Sequence, residues 1–280
     1  MGFKSFVKHS ISFVCSAFKE KKIIPIPKFI DTNSLLIGRV ALITGGSSGI
    51  GYAIAEAFLR NGCKVIIAGT KEDKLQRCVT KLGENAKYIV IDVKNVKLIP
   101  QKVASAATLF SEGFIDILVN SAGLVTQHAF WELDEQEYDD IMDTNMKGTY
   151  FMSKYVALHM RHKKKNGNIV NVASSSSVRP AWTPYQISKW GVRGFTLGLA
   201  ETLLPYGIVV NCVAPGPTAT PMLNKHDGDS IYNASSPAGR YSMPEEIANL
   251  VTFMVSDLGR MIIGDTVFMT GGSGNLTLHG

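Results

Sequence analysis

No apolar run in the 280 residues approaches the ~18 to 20 that a transmembrane helix needs, because Lys or Arg interrupts every candidate stretch. The chain is therefore not expected to span a membrane. Cysteine is scarce. Cys15, Cys63, Cys78 and Cys212 are widely separated and form no C-x-x-C pair, so they read as reduced thiols of a cytoplasmic protein. His226 and Asp227 lack further partners at metal-ligand spacing, and no catalytic metal is expected. No small-residue cleavage site follows a long apolar core near the N-terminus, and Phe6 departs from the acylation pattern M-G-x-x-x-[ST], so neither a secretory signal nor a lipid anchor is expected. A basic stripe through the body is missing too. The formal charge is +6, but Lys4, Lys8, Lys19, Lys21, Lys22, Lys28 and Arg39 meet only Glu20 and Asp31 in the first 40 residues. The remainder is nearly neutral and offers only the short run Arg161 to Lys165, which argues against a nucleic-acid partner.

What is present centres on Thr44 to Gly51, T-G-G-S-S-G-I-G. The apolar run Val40 to Ile43 leads into it, and a helical pattern (Ala53, Ile54, Ala57, Phe58) leaves it. A buried strand thus turns sharply into a helix. Gly45 permits the turn, Gly49 lets the backbone approach a pyrophosphate, and Gly51 lets helix and strand pack. Ser47, Ser48 and Ile50 complete a cradle whose helix N-terminus offers free N–H groups to an anion. A glycine turn alone is weak evidence, since turns use glycine whatever they do.

Beyond Arg39, strand-like runs alternate with helical patterns. Strands are expected at Val40 to Thr44, Lys64 to Ala68, Lys87 to Ile91, Ile115 to Asn120, Asn168 to Ala173, Ile208 to Val213 and Thr266 to Met269. The pattern predicts an α/β fold: one domain over 36–280, a doubly wound, Rossmann-like parallel sheet of about seven strands with helices on both faces. Ligands should bind beyond the strands' carboxyl ends.

The unusual residues collect there. The second strand closes at Gly69-Thr70-Lys71, without the carboxylate that would hold a ribose 2′-hydroxyl. That leans toward NADP, with NAD possible. Asp92-Val93 after the third strand suits an adenine edge, or is an ordinary capping aspartate. Asn120-Ser121-Ala122-Gly123 ends the fourth strand, with Ala122 and Gly123 small enough to admit a ribose and Asn120 able to tie neighbouring strands. Within a long helical pattern, Asp143 to Gly148 is a polar interruption around Asn145 that marks a kink. Four serines follow Ala173, and Tyr185 and Lys189 lie one helical turn apart on one face. A lysine ammonium there favours the phenolate and draws a tyrosine pKa of ~10 toward the working range.

Taken together, these residues resemble the short-chain dehydrogenase/reductase family in its compact form, over roughly Leu36 to Gly274. The resemblance rests on T-G-G-S-S-G-I-G, D-V at Asp92, N-S-A-G at Asn120, the Asn145 segment, the serine run, Y-Q-I-S-K at Tyr185, and N-C-V-A-P-G-P-T-A-T at Asn211. It implies a catalytic set of Asn145, a serine, Tyr185 and Lys189. In that scheme Tyr185 is general acid or base, Lys189 also grips the nicotinamide ribose, and Asn145 holds a water in a proton relay. Pro215, Gly216, Thr218 and Thr220 would embrace the nicotinamide carboxamide. It further implies a homodimer or homotetramer. The chain departs from the family in reading N-S-A-G for N-N-A-G. Its Ser174 also stands only 11 positions before Tyr185, two closer than is usual in the family. Ser174, Ser175 and Ser176 all remain candidates, with Ser174 preferred because it follows the strand directly.

The segment at about 221–244, rich in small polar residues, reads as a lid that sets substrate choice and suits a polar substrate. The expected activity is carbonyl and secondary-alcohol interconversion with NAD(P)(H) on a small molecule, with 3-oxoacyl carrier-protein reduction as a particular case. A nucleotide-sensing protein of the same fold is the alternative. Residues 1–35 are expected to hold an amphipathic helix (Phe3, Phe6, Phe13 and Phe18 on one side) and a linker stiffened by Pro25 and Pro27. Packing on a partner subunit is preferred for the helix over peripheral membrane contact.

Overall fold

The computed structural model describes residues 34–226, 228–274 and 276. The expected amphipathic helix and its proline linker lie outside the described residues.

Seven strands form one parallel sheet: β1 (Val40–Thr44), β2 (Lys64–Gly69), β3 (Ala86–Val90), β4 (Ile117–Asn120), β5 (Gly167–Val172), β6 (Ile208–Pro215) and β7 (Thr266–Met269). Their order is β3-β2-β1-β4-β5-β6-β7, and every pairing is parallel. Winding reverses between β1 and β4, which opens a crevice at the strands' carboxyl ends. Between the strands run α1 (Gly49–Arg60), α2 (Glu72–Leu82), α3 (Ile99–Ala107), α4 (Glu135–Met142), α5 (Thr149–His162), α6 (Pro184–Leu203) and α7 (Pro244–Val255).

The strands read as unbroken apolar runs because both faces are covered. Val40 and Leu42 of β1 point into one core with Val103 of α3, Met152 and Val156 of α5 and Ala200 of α6. Ala41 and Ile43 point the other way, into a core with Ile54 and Phe58 of α1, Leu75 of α2 and Val251 of α7. The two-residue side-chain period of a strand therefore splits each strand between two helical layers. All seven expected strands are present within two residues at either end. The short β4 begins at Ile117 because Asp116 is used differently: its carboxylate accepts the Val40 N–H at 2.8 Å.

Where the sequence showed a polar interruption, the helix opens into a π-turn over Asp143–Gly148 that separates α4 from α5. The wider turn re-aims Asn145 into the interior, where it is 1% exposed. The segment at 221–244 has internal order. It opens with a short 3₁₀ turn at Pro221–Leu223, pairs Tyr232 with Arg240 and Thr218 with Ser242, and closes on an Arg240–Glu246 ion pair at 2.8 Å.

Candidate active site

At the crevice the glycine turn does steric work that can be measured. Gly45 has φ 66°, and a Cβ there would stand 2.8 Å from the Ala122 nitrogen and the Ser121 oxygen. A Cβ on Gly51 would stand 2.5 Å from the Gly45 oxygen. No side chain fits at either position, so the backbone amides stay open to a phosphate. Ser48 is the N-cap of α1, its side chain making no cap hydrogen bond, and no acidic residue occupies the first turn. Thr44 clamps the turn to the next strand: its Oγ1 accepts the Ser121 and Ala122 N–H groups, each at 3.2 Å. Residues and spacing thus fit a dinucleotide pyrophosphate.

Across the crevice, Tyr185 lies in the first turn of α6. Thr183 caps that helix, its Oγ1 accepting the Gln186 N–H at 3.3 Å while Gln186 Oε1 accepts the Thr183 N–H at 3.1 Å; Pro184 fills the first helical position. The Ser174 side chain acts on the Tyr185 hydroxyl, favouring its ionised form, and both residues line the crevice. Ser174 is itself fixed at the end of β5, its Oγ accepting the Ser176 N–H at 3.1 Å and donating to Ser176 Oγ at 3.2 Å. Of the three candidate serines, Ser174 is therefore the one that meets the tyrosine.

Lys189 is buried, its Nζ donating to the Val172 carbonyl at 2.8 Å and standing 5.7 Å from the Tyr185 ring centre. Desolvation lowers its pKa to about 8, while the neighbouring Cys212 acts weakly in the opposite sense. Burial pushes the Tyr185 hydroxyl above the usual tyrosine range, and the Ser174 contact opposes this only in part. The expectation that the ammonium would draw the tyrosine down is thus not met in this structure. Desolvation penalises both charged forms, and the ammonium is turned to a carbonyl. Tyr185 is held protonated at neutral pH, as a proton donor must be.

Asn145 joins this group. Its Oδ1 accepts the Leu124 N–H at 2.7 Å, and its Nδ2 donates to the Leu124 carbonyl at 2.9 Å and to Ser188 Oγ at 3.1 Å. A Cβ on Gly123 would lie 3.4 Å from Asn145 Oδ1 and 3.7 Å from Lys189 Nζ, so Gly123 packs close to both; Lys189 lines the cavity, whereas Asn145 is buried behind its wall. The side chain of Asn145 is wholly engaged with protein, which fixes the loop after β4.

A cavity of about 380 Å³ spans these elements. Its walls bring together the expected Gly45, Ser48, Gly49, Ile50, Ala122, Gly123, Ser174, Tyr185, Lys189, Pro215, Gly216, Thr218 and Thr220. Other expected residues stand apart from it. Asn120 is interior, donating to Ser153 Oγ at 2.9 Å and Asn171 Oδ1 at 2.8 Å. Asp92 accepts the Lys94 N–H at 3.0 Å, a turn cap, and Val93 packs where a Cβ on Gly148 would fall. Thr70 and Lys71 are exposed at the end of β2, where a Cβ on Gly69 would come within 3.9 Å of Ser47 Oγ.

Sequence reasoning missed Arg179 and the clamping role of Thr44, and it counted Met222 and Leu223 in the lid without showing that they face the cavity. The lid residues that line the cavity are apolar, whereas its polar Arg240 pairs with Glu246 outside. Counting polar residues over the segment could not show which of them face inward. The polar lid of the sequence reading therefore presents an apolar wall.

A parallel sheet with a glycine cradle on one side of the crevice and Tyr185, Ser174 and Lys189 on the other defines a nicotinamide-dependent oxidoreductase. The short chain dehydrogenase family model matches residues 39–246, and the chain belongs to that family. It is similar to the 3-oxoacyl-[acyl-carrier-protein] reductase of Vibrio cholerae, with 38% identity over 85% of this chain and 98% of the relative. Among solved structures it resembles an actinorhodin polyketide ketoreductase with NADPH (TM-score 0.77, 31% identity, 85% of this chain and 98% of that one). It also resembles the 3-ketoacyl-(acyl-carrier-protein) reductase from Brucella melitensis complexed with NADH (TM-score 0.77, 30% identity, 85% and 99%). The chain is an NAD(P)(H)-dependent oxidoreductase. No described helix is long and apolar enough to cross a membrane.

Proposed function

We propose that this protein reduces the ketone of a 3-oxoacyl thioester to the secondary alcohol, using NADPH in preference to NADH. The observation that carries the reading is that Tyr185, Ser174 and Lys189 share one cavity wall, set across the crevice from a glycine turn where Gly45 and Gly51 have no room for side chains. A bound nicotinamide supplies the hydride. Ser174 Oγ holds the carbonyl oxygen, and Tyr185, kept protonated by burial, donates a proton to that oxygen as negative charge develops on it. Lys189, an ammonium below about pH 8, favours the phenolate that Tyr185 leaves and would hold a ribose hydroxyl of the bound cofactor. Asn145 holds the loop after β4 against the cofactor's ribose side. Pro215, Gly216, Thr218 and Thr220 would flank the nicotinamide; the Thr218 hydroxyl donates to the Gly216 carbonyl at 2.9 Å.

The 2′-phosphate of NADPH would meet Ser47, Thr70 and Lys71 at the end of β2, where no carboxylate repels it. The apolar wall at Met222 and Leu223 suits an acyl chain, and the ordered segment at 221–244 acts as the lid over it. The thioester reading is shared in kind with the relatives named above. Free thiols at Cys63, Cys78 and Cys212 support a cytoplasmic setting. Exposed Trp190 and Leu197 on α6 and Tyr150 on α5 support assembly into a dimer or tetramer.

The test is NADPH oxidation on acetoacetyl-pantetheine, beside a simple ketone and a keto sugar. The thioester should be turned over with the highest kcat/KM. Cofactor binding without oxidation of any of the three would overturn the reading.

A further inference from the structure

Among the described residues only two charged side chains line the cavity, Lys189 and Arg179, and no carboxylate does. Lys189 is buried and engaged by the Val172 carbonyl. Arg179 is exposed at the mouth, on the short loop between Ser174 and Tyr185, and no ion pair among the described residues uses it. Its backbone is nonetheless held firmly. The N–H donates to the Ser176 carbonyl at 3.3 Å and the carbonyl accepts Trp190 Nε1 at 2.8 Å. Pro180 keeps it extended, at φ −107° and ψ 159°. The guanidinium lies beside Gly274, where a Cβ would stand 2.8 Å from its Nε, so the glycine leaves room for the arginine. Lys225 on the lid is turned elsewhere, to the Ser230 carbonyl and the Tyr241 ring.

A cation fixed at the mouth of a cavity whose described wall carries no carboxylate attracts and orients an anion. The planar fork of a guanidinium suits a carboxylate or phosphate in particular.

We propose that Arg179 recognises a carboxylate or phosphate carried by the carbonyl substrate, away from the reacting carbon, and so sets the class of substrate accepted. The carbonyl end meets Ser174 and Tyr185, the apolar stretch lies against Met222 and Leu223, and the anion ends on Arg179. This rests on the ketone-reducing reading above and adds the charge requirement to it.

The test uses two matched pairs: acetoacetyl-pantetheine with and without its 4′-phosphate, and levulinate with its methyl ester. Wild type should prefer the anionic member by ~10- to 100-fold in kcat/KM, the usual worth of one charge-assisted hydrogen bond, with the difference in KM. Arg179→Gln should erase that preference and leave the neutral member and NADPH affinity unchanged, and Arg179→Lys should keep part of it. Preference in the first pair alone identifies the anion as phosphate, and in the second alone as carboxylate. Turnover of all four without preference, or loss of NADPH affinity in Arg179→Gln, overturns the proposal and leaves ketone reduction standing. If none is reduced, ketone reduction fails, and titration of the phosphorylated thioester into the NADP⁺-loaded protein still decides. Binding weakened by Arg179→Gln upholds the proposal; binding equal in both proteins overturns it.

Discussion

Tyr185 and Lys189 are the residues on which the chemistry turns, and each makes a separable prediction. Tyr185→Phe keeps the ring and loses the proton, so kcat should fall by ~10²- to 10⁴-fold with cofactor affinity unchanged; a variant within threefold or so of wild type removes the assignment. Ser174→Ala should cost nearly as much. Ser176→Ala should cost far less, because Ser174 rather than Ser176 acts on the Tyr185 hydroxyl, and Ser176 bonds Ser174. Lys189 predicts a stability effect of unusual sign. Its folded pKa, about 8, lies below the ordinary lysine value of 10.5, so between those values the unfolded chain binds more protons and stability rises with pH. Below pH 8 the full cost of burying the ammonium is present, roughly 3 kcal/mol at 1.36 per decade. Lys189→Met should therefore raise the urea midpoint at pH 7 and lose that advantage as the pH passes from 8 to 10.5, while abolishing turnover. A stability difference that does not vary with pH would mean the ammonium is better solvated than its burial implies. The Y-x-x-x-K spacing was legible in the sequence because four residues make one turn. The choice among Ser174, Ser175 and Ser176 was not, because it depends on which hydroxyl a loop two residues short brings to the phenol.

At the scale of elements, α6 is the arm that carries Tyr185 and Lys189, and its start is set by Thr183, Pro184 and Gln186. Thr183→Ala should cost ~1 kcal/mol of stability, the usual value of a lost N-cap. It should also lower kcat, since fraying would begin at the turn that holds the tyrosine. Thr202→Ala, near the other end of the same helix, is the control. Its Oγ1 bonds only the Gly198 carbonyl, so kcat should not change there, and an equal loss of kcat in both variants would show that the cap does not position the tyrosine. Strands and helices were readable because each is a periodic, local pattern with two buried faces or one. The Asn145 interruption was readable as a kink but not as a π-turn, whose extra residue becomes visible only when the Asn145 amide closes on Leu124. Asp92 and Asn120 resemble ligand residues in sequence, yet one caps a turn and the other bridges β4 to β5 and α5. Short polar residues serve both purposes at strand ends, and only three-dimensional placement separates them. Which lid residues face inward was not legible for the same reason: its composition is polar, but the residues that reach the cavity are Pro221, Met222 and Leu223.

For the whole molecule, cofactor binding and folding are one linked equilibrium, because the cradle at Gly45 to Gly51 exists only when β1, β4 and α1 are assembled. A ligand at 100 times its Kd adds ~2.7 kcal/mol to stability, which for a domain of this size raises Tm by roughly 5 to 10 °C. Saturating NADPH should produce a shift of that order. NADH at the same concentration should produce a smaller one, because the second strand ends without a carboxylate and leaves Thr70 and Lys71 to a 2′-phosphate. Gly69→Asp tests the cause directly. A Cβ at Gly69 meets nothing closer than Leu75 Cδ2 at 3.6 Å, so the substitution fits, and the new carboxylate should repel the 2′-phosphate and accept a ribose 2′-hydroxyl instead. The order of the two shifts should then reverse with the apo Tm unchanged. Gly51→Ala serves as the opposite control, since its Cβ would collide with the Gly45 oxygen at 2.5 Å and distort the cradle for both cofactors. Equal shifts from NADPH and NADH in the wild-type protein would remove the 2′-phosphate site from the end of β2, whatever the outcome of the substitutions.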